Sequence, residues 1–77
     1  MEFEKIRDVV AEQMKVDREK ITMETSFKND LNTDSIDILQ IISDLEDIFG
    51  MEFANEAAEN IRTVGDATEY VKQVLGA

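Results

Sequence analysis

The sequence predicts an all-α domain: a small four-helix bundle with three main helices, one short helix and a long loop between helices one and two. Three observations carry that expectation. Apolar residues recur at helical spacing in three separate stretches, the mark of helices that each bury one stripe. The 77 residues contain no proline and only three glycines, Gly50, Gly65 and Gly76, so few positions break a helix. Glu, Lys, Met, Ala and Leu, all good helix formers, are abundant. Hydrophobic residues make up 43% of the chain and aromatics 6%, so a core can form and aliphatic packing must dominate it. The length suits one small domain spanning residues 1–77.

The first helix is expected over residues 2–15, where Phe3, Ile6, Val10 and Met14 fall on one stripe at about 100° per residue. Residues 16–34 show no sustained period. Thr22, Thr25, Ser26, Asn29, Asp30, Asn32 and Thr33 mark a polar loop, with Ile21, Phe27 and Leu31 as its apolar anchors. A loop this long in a small domain is usually functional, and it leads directly to Ser35.

The second helix is expected over residues 35–49. Asp34 suits its N-cap, Asp37 adds negative charge to its first turn, and Gly50 suits a left-handed stop. Ile38, Ile41, Ile42, Leu45, Ile48 and Phe49 form a broad apolar face, with Leu39 at its edge. Ile36 lies about 160° away from that face, between Ser43 and Asp47. A short third helix is expected over residues 55–60. Thr63 then caps a fourth helix, with Asp66 three residues on in the manner of a capping box. Val64, Ala67, Tyr70, Val71, Val74 and Leu75 make its stripe.

Eighteen acids face eight bases, for a net charge of −10. Nucleic acid is excluded as a natural partner, because phosphate backbones select Lys and Arg. Basic surfaces or cations fit instead. Between Asn29 and Ile61 there is no Lys or Arg but nine acids: Asp30, Asp34, Asp37, Asp44, Glu46, Asp47, Glu52, Glu56 and Glu59. Most such runs are solvated faces. This one forgoes the i,i+4 ion pairs that would steady its helices, which makes it a candidate for steering toward basic partners. No apolar run reaches the roughly 18 residues of a membrane span, so no stable membrane insertion is expected. Met1-Glu2-Phe3-Glu4 lacks the features of a signal peptide. A cytoplasmic monomer is the simplest expectation.

Ser35 is the candidate functional residue. A serine at a helix start ordinarily serves as a local cap. A nucleophilic role would require a base to activate the hydroxyl, and the chain has no His and no Cys. A phosphate ester fits better. Unpaired N–H groups and the positive end of the helix dipole would meet it there. Ile36, an apolar residue ringed by acids one position on, looks like a small anchor within a polar rim. A calcium loop is the competing motif. Asp30, Asn32 and Asp34 match its first, third and fifth positions. Ser35 stands where the loop needs glycine, and Ile41 where it needs a bidentate glutamate, which leaves an acidic calcium-binding module as a remote alternative.

At these residues the chain resembles the acyl carrier protein family across essentially its whole length. That family's hallmark is Asp-Ser-Leu at the start of the second helix, preceded by Asp-Leu-Gly-Ala or similar. The stretch here reads Asp30-Leu31-Asn32-Thr33-Asp34-Ser35-Ile36-Asp37. Leu45-Glu46-Asp47-Ile48-Phe49 is similar to the family's Leu-Glu-Glu-x-Phe. Thr63-Val64-Gly65-Asp66-Ala67 with Tyr70-Val71 is similar to the start of its last helix, and Ile21–Phe27 to its loop. The resemblance implies a carrier, not an enzyme. A 4′-phosphopantetheine on Ser35 would hold acyl chains as thioesters, most naturally in fatty acid biosynthesis, alternatively in a specialised polyketide or lipid pathway. It also implies that Asp34, Ile36, Asp37, Glu46 and Asp47 are docking positions. The partners would be a phosphopantetheinyl transferase and basic-surfaced acyl synthases and transferases. Ile36 replaces the usual Leu, Asn32 and Thr33 replace Gly-Ala, and Gln40 and Ser43 stand where an acid and an apolar residue are common.

Overall fold

A computed structural model describes residues 2–76; Met1, part of the signal-peptide argument, lies outside them. Four α-helices follow in order: α1 (Glu2–Met14), α2 (Ser35–Phe49), the short α3 (Asn55–Glu59) and α4 (Val64–Gly76). The expected fold class therefore holds, and the ends fall within a residue of the sequence-based limits. α1 packs against both α2 and α4.

The helix ends are written locally. Asp34 and Asp37 form a reciprocal capping box at the start of α2, which satisfies N–H groups that have no partner inside the helix. Thr63 and Asp66 form a second: Asp66 N–H donates to Thr63 Oγ1 (3.0 Å), and Thr63 N–H donates to Asp66 Oδ2 (3.2 Å). Gly50 ends α2 at φ 63, and the Met51 N–H reaches back to Glu46 O. Lys15 ends α1 the same way, at φ 57, with the Val16 N–H on Ala11 O. Glycine reaches this conformation freely and lysine does not, so the sequence-based limit overran by one residue.

The core is aliphatic, as the composition requires. Ile6 and Val10 of α1, Ile41 and Leu45 of α2, and Val64 and Val71 of α4 are fully buried or nearly so. Ile21 and Phe27 anchor the long loop in this core, with Leu31 half-buried. Met51 and Phe53, between α2 and α3, are buried too. Phe53 stacks on Tyr70 with ring centroids 4.9 Å apart, and the Tyr70 hydroxyl accepts the Ala54 N–H at the start of α3.

Two stripes extend further in sequence than in the core. Ile48 is 47% exposed and Leu39 66% exposed, and Val74 and Leu75 are each nearly half exposed. An apolar face predicts which way a side chain points; burial also needs a neighbour there. In return Thr68, polar and outside the predicted stripe, is fully buried. Its hydroxyl donates to Val64 O within its own helix (2.9 Å), which removes the penalty of burying it.

The long loop is more ordered than its lack of period suggests. Arg18–Lys20 form a 3-10 turn. Residues 23–27 are then stitched to residues 62–65. Phe27 N–H donates to Arg62 O (3.0 Å), Val64 N–H to Thr25 O (3.0 Å) and Gly65 N–H to Met23 O (2.7 Å). Ser26 and Thr63 form an antiparallel bridge at this seam.

Candidate functional site

The seam makes the starts of α4 and α2 very different. The first four N–H groups of a helix lack intrahelical acceptors. In α4 all four are satisfied: Val64 and Gly65 by the loop carbonyls, Asp66 by Thr63 Oγ1, and Ala67 by Thr63 O. In α2, Asp37 N–H donates to Asp34 Oδ1 (2.9 Å) and Ile38 N–H to Asp34 O (3.0 Å). The N–H groups of Ser35 and Ile36 have no acceptor among the described residues. Both residues are exposed.

Ser35 is thus the first residue of α2, with a solvent-facing hydroxyl that no described residue engages. It is not the helix cap; Asp34 fills that role. No base contacts the hydroxyl, so it is not set up as a nucleophile. Two unpaired N–H groups and the positive helix end are adjacent, which suits an oxygen-linked anion. These residues fit a phosphodiester-linked group. The Asp34 and Asp37 carboxylates nearby would oppose an anion, and both are already turned to backbone N–H groups of the capping box.

The five expected docking residues divide. Ile36 is 75% exposed, off the core face as its place on the wheel predicts. Asp47 is also exposed. Asp34 and Asp37 cap the helix, and Asp37 Oδ1 also accepts Gln13 Nε2 from α1 (3.3 Å). Glu46 Oε2 accepts the Phe53 N–H (2.8 Å), pinning the α2–α3 connection. Three of these carboxylates therefore hold the fold at the positions where the resemblance implies docking.

Leu39 completes the outer stripe of α2 with Ile36, Gln40, Ser43 and Asp47, all exposed. Its place could have been read from the wheel, since it lies about 60° from Ile36. Among the described residues none of the nine acids between Asn29 and Ile61 is in an ion pair; Arg7 and Arg18 both turn to Asp8. The calcium-loop reading loses its geometry. α2 begins at Ser35, so residues 35–41 are helix where a loop would have to wrap the ion. Asp30 Oδ2 meanwhile accepts the Ser26 N–H (2.7 Å).

Residue 33 carries a feature with no sequence signal. Thr33 Oγ1 is covered from solvent and has no hydrogen-bond partner among the described residues.

Comparison with known proteins bears on this geometry. Residues 4–71 match the family described as "Phosphopantetheine attachment site". The acyl carrier protein of Lactobacillus johnsonii is 49% identical over 70 residues, covering 91% of this chain and 88% of the relative. That of Lactobacillus acidophilus is 49% identical over 74 residues, covering 96% and 92%. Among solved structures, a candidate acyl carrier protein from Mycobacterium tuberculosis superposes with a TM-score of 0.91 at 32% identity, covering 97% of this chain and all of that one. The acyl carrier protein of Enterococcus faecalis gives 0.80 at 33% identity, covering 94% and 91%. The chain belongs to the acyl carrier protein family, whose members are non-catalytic carriers that work through a covalently held phosphopantetheine.

Proposed function

We propose that Ser35 is the attachment residue for 4′-phosphopantetheine and that the loaded chain carries acyl groups in fatty acid biosynthesis. The observation that carries this reading is the start of α2. There an exposed serine hydroxyl stands beside the unpaired N–H groups of Ser35 and Ile36. When bound, the group supplies the thiol that holds an acyl chain as a thioester, which a chain without cysteine cannot supply itself. Asp34, through its cap, fixes where the helix starts and so where the hydroxyl sits. Residues 1–77 act as a single, monomeric carrier domain in the cytoplasm. No helix among the described residues is long and apolar enough to cross a membrane.

The partners proposed are a phosphopantetheinyl transferase and acyl synthases and transferases with basic surfaces. Ile36 anchors them by burial and Asp47 steers them by charge. Asp34, Asp37 and Glu46 contribute field while also holding their internal hydrogen bonds. The test is intact mass. Incubation with a phosphopantetheinyl transferase and coenzyme A adds one phosphopantetheine to the wild type and none to Ser35→Ala. Loaded wild-type protein then accepts a malonyl group from a fatty-acid-type malonyl transferase. A wild type that gains no mass from an active transferase rejects the Ser35 assignment.

A further inference from the structure

Between α1 and α2, on the side away from the core, lies an open groove of about 590 Å³. Its apolar lining is Val9 of α1 and Ile48 of α2. Val9 is half-buried and packs against the core, whereas Ile48 is 47% exposed. Acids stand on both sides: Asp8 and Glu12 of α1, one helical turn apart, and Asp44 and Asp47 of α2. Asp8 is already engaged by Arg7 at 3.2 Å and Arg18 at 3.7 Å. Glu12, Asp44 and Asp47 are in no ion pair among the described residues; Asp44 accepts the neutral Gln40 amide (2.9 Å). Three open carboxylates therefore face the one base in the lining, Lys15.

An apolar floor between acidic walls is matched by an apolar side chain flanked by Lys or Arg. Covering Ile48 removes apolar surface from water, and the flanking bases supply the charge that the walls lack. The groove is also continuous with the docking face. Asp47 lines it and belongs to the outer stripe of α2 that carries Ile36, so a partner seated on Ile36 has the groove beside it.

Position along α2 narrows the class of partner. Asp44 and Ile48 lie 9 and 13 residues past Ser35, about 14–20 Å along the axis at about 1.5 Å per residue. A phosphopantetheinyl transferase must bring its reacting centre to the Ser35 hydroxyl itself. An enzyme that acts on the thioester meets it at the far end of the arm and is free to seat away from Ser35.

We propose that the α1–α2 groove is a second contact surface for the acyl transferases and synthases, receiving from them an apolar side chain flanked by Lys or Arg, and that the phosphopantetheinyl transferase does not use it. The proposal rests on attachment at Ser35 and on the fatty acid reading. Glu12 and Ile48 then govern which enzymes hold the carrier, and not whether it is loaded.

The experiment compares Glu12→Lys, Ile48→Thr and Glu69→Lys with wild type. Glu69 is exposed on α4, outside the groove, and reversing it changes the net charge as much as reversing Glu12 does. Arm uptake from a phosphopantetheinyl transferase and coenzyme A is followed by intact mass. Binding of the loaded protein to a fatty-acid-type malonyl transferase is followed by surface-plasmon kinetics at one salt concentration. Glu12→Lys weakens that binding by about tenfold, and Ile48→Thr speeds dissociation by a similar factor. Glu69→Lys changes it by less than about twofold, and all three variants take up the arm at the wild-type rate. Thermal melts check the fold; if Ile48→Thr melts early, the exposed Glu12 position decides alone. Equal weakening by Glu12→Lys and Glu69→Lys overturns the proposal, because the field of the whole domain is then responsible. Wild-type binding by Glu12→Lys overturns it too, as the groove is then empty in the complex. So does slowed arm uptake in the groove variants, because the transferase then uses the same surface. Wild-type protein that takes up no arm rejects the Ser35 reading, and wild type that loads but does not bind the malonyl transferase rejects the fatty acid reading. Either result removes the basis of the proposal, and both are separated from a failure of the groove by the wild-type measurements alone.

Discussion

Gly65→Ala is the sharpest test of the seam between the long loop and α4. A Cβ built at Gly65 falls 2.6 Å from Met23 O, 3.4 Å from Met23 C and 3.5 Å from Met23 Cβ. The nearest atom is a backbone carbonyl, the one that accepts the Gly65 N–H at 2.7 Å. It cannot swing aside like the end of a flexible side chain. The loop must retreat by roughly 0.8 Å to bring that 2.6 Å approach out to ordinary van der Waals contact at 3.4 Å. Crowding of this kind costs about 1–3 kcal/mol. Stretching the hydrogen bond adds about 0.5–1.5 kcal/mol. Alanine's better helix propensity returns up to about 1 kcal/mol. The net loss is about 0.5–4.5 kcal/mol, or upwards of about 2 °C in melting temperature for a domain of this length. Far-UV circular dichroism melts of unloaded protein read it out. Hydrogen exchange at the Gly65, Val64 and Phe27 amides should speed up beyond the global change. Two other glycines serve as controls with different physics. Gly50 has no atom near a built Cβ but sits at φ +63, so Gly50→Ala loses about 1 kcal/mol through the backbone alone. Gly76 has neither constraint, and Gly76→Ala loses nothing. A Gly65→Ala variant melting within a degree of wild type, with unchanged exchange, would refute the steric argument.

Two further outcomes follow from the α2 surface and the charge. Ile36→Ala leaves the melting temperature unchanged, since the side chain is 75% exposed, and speeds dissociation from a basic partner enzyme, costing about 1–2 kcal/mol where the side chain is buried in the complex; a variant that binds as tightly as wild type in surface-plasmon kinetics sinks the anchor role. Asp47→Lys slows association and flattens its salt dependence; Asp37→Lys is the poorer probe, because it also breaks the capping box and the Gln13 contact, with about 0.5–2 kcal/mol lost from the cap alone. Melting temperature rises with sodium chloride, because the Debye length falls from about 30 Å at 0.01 M to about 3 Å at 1 M while the chain's radius of gyration is 11.1 Å. A melt that is flat across that range means the charge of −10 does not strain the fold.

What the sequence determined by itself was local. The three main helices follow from a 3.6-residue period, and their ends from side chains within a few positions: Asp34, Gly50, and the Thr63–Asp66 pair. These are short-range hydrogen bonds and backbone preferences, so a linear reading reaches them. The candidate serine was legible for the same reason, as was Ile36 off the core face, because both depend only on where α2 begins and how it turns. The tertiary structure decided what lies opposite each surface. Ile48, Val74 and Leu75 carry the right period and stay partly exposed because burial needs a neighbour and periodicity cannot supply one. The loop's order depends on carbonyls of Met23 and Thr25 meeting amides some forty residues later, a pairing no local pattern encodes. The same holds for Asp37 reaching Gln13, Glu46 reaching Phe53, and the covering of the Thr33 hydroxyl. Sequence set which groups the chain carries; only packing decided which were satisfied and which, at the start of α2, have no acceptor among the described residues.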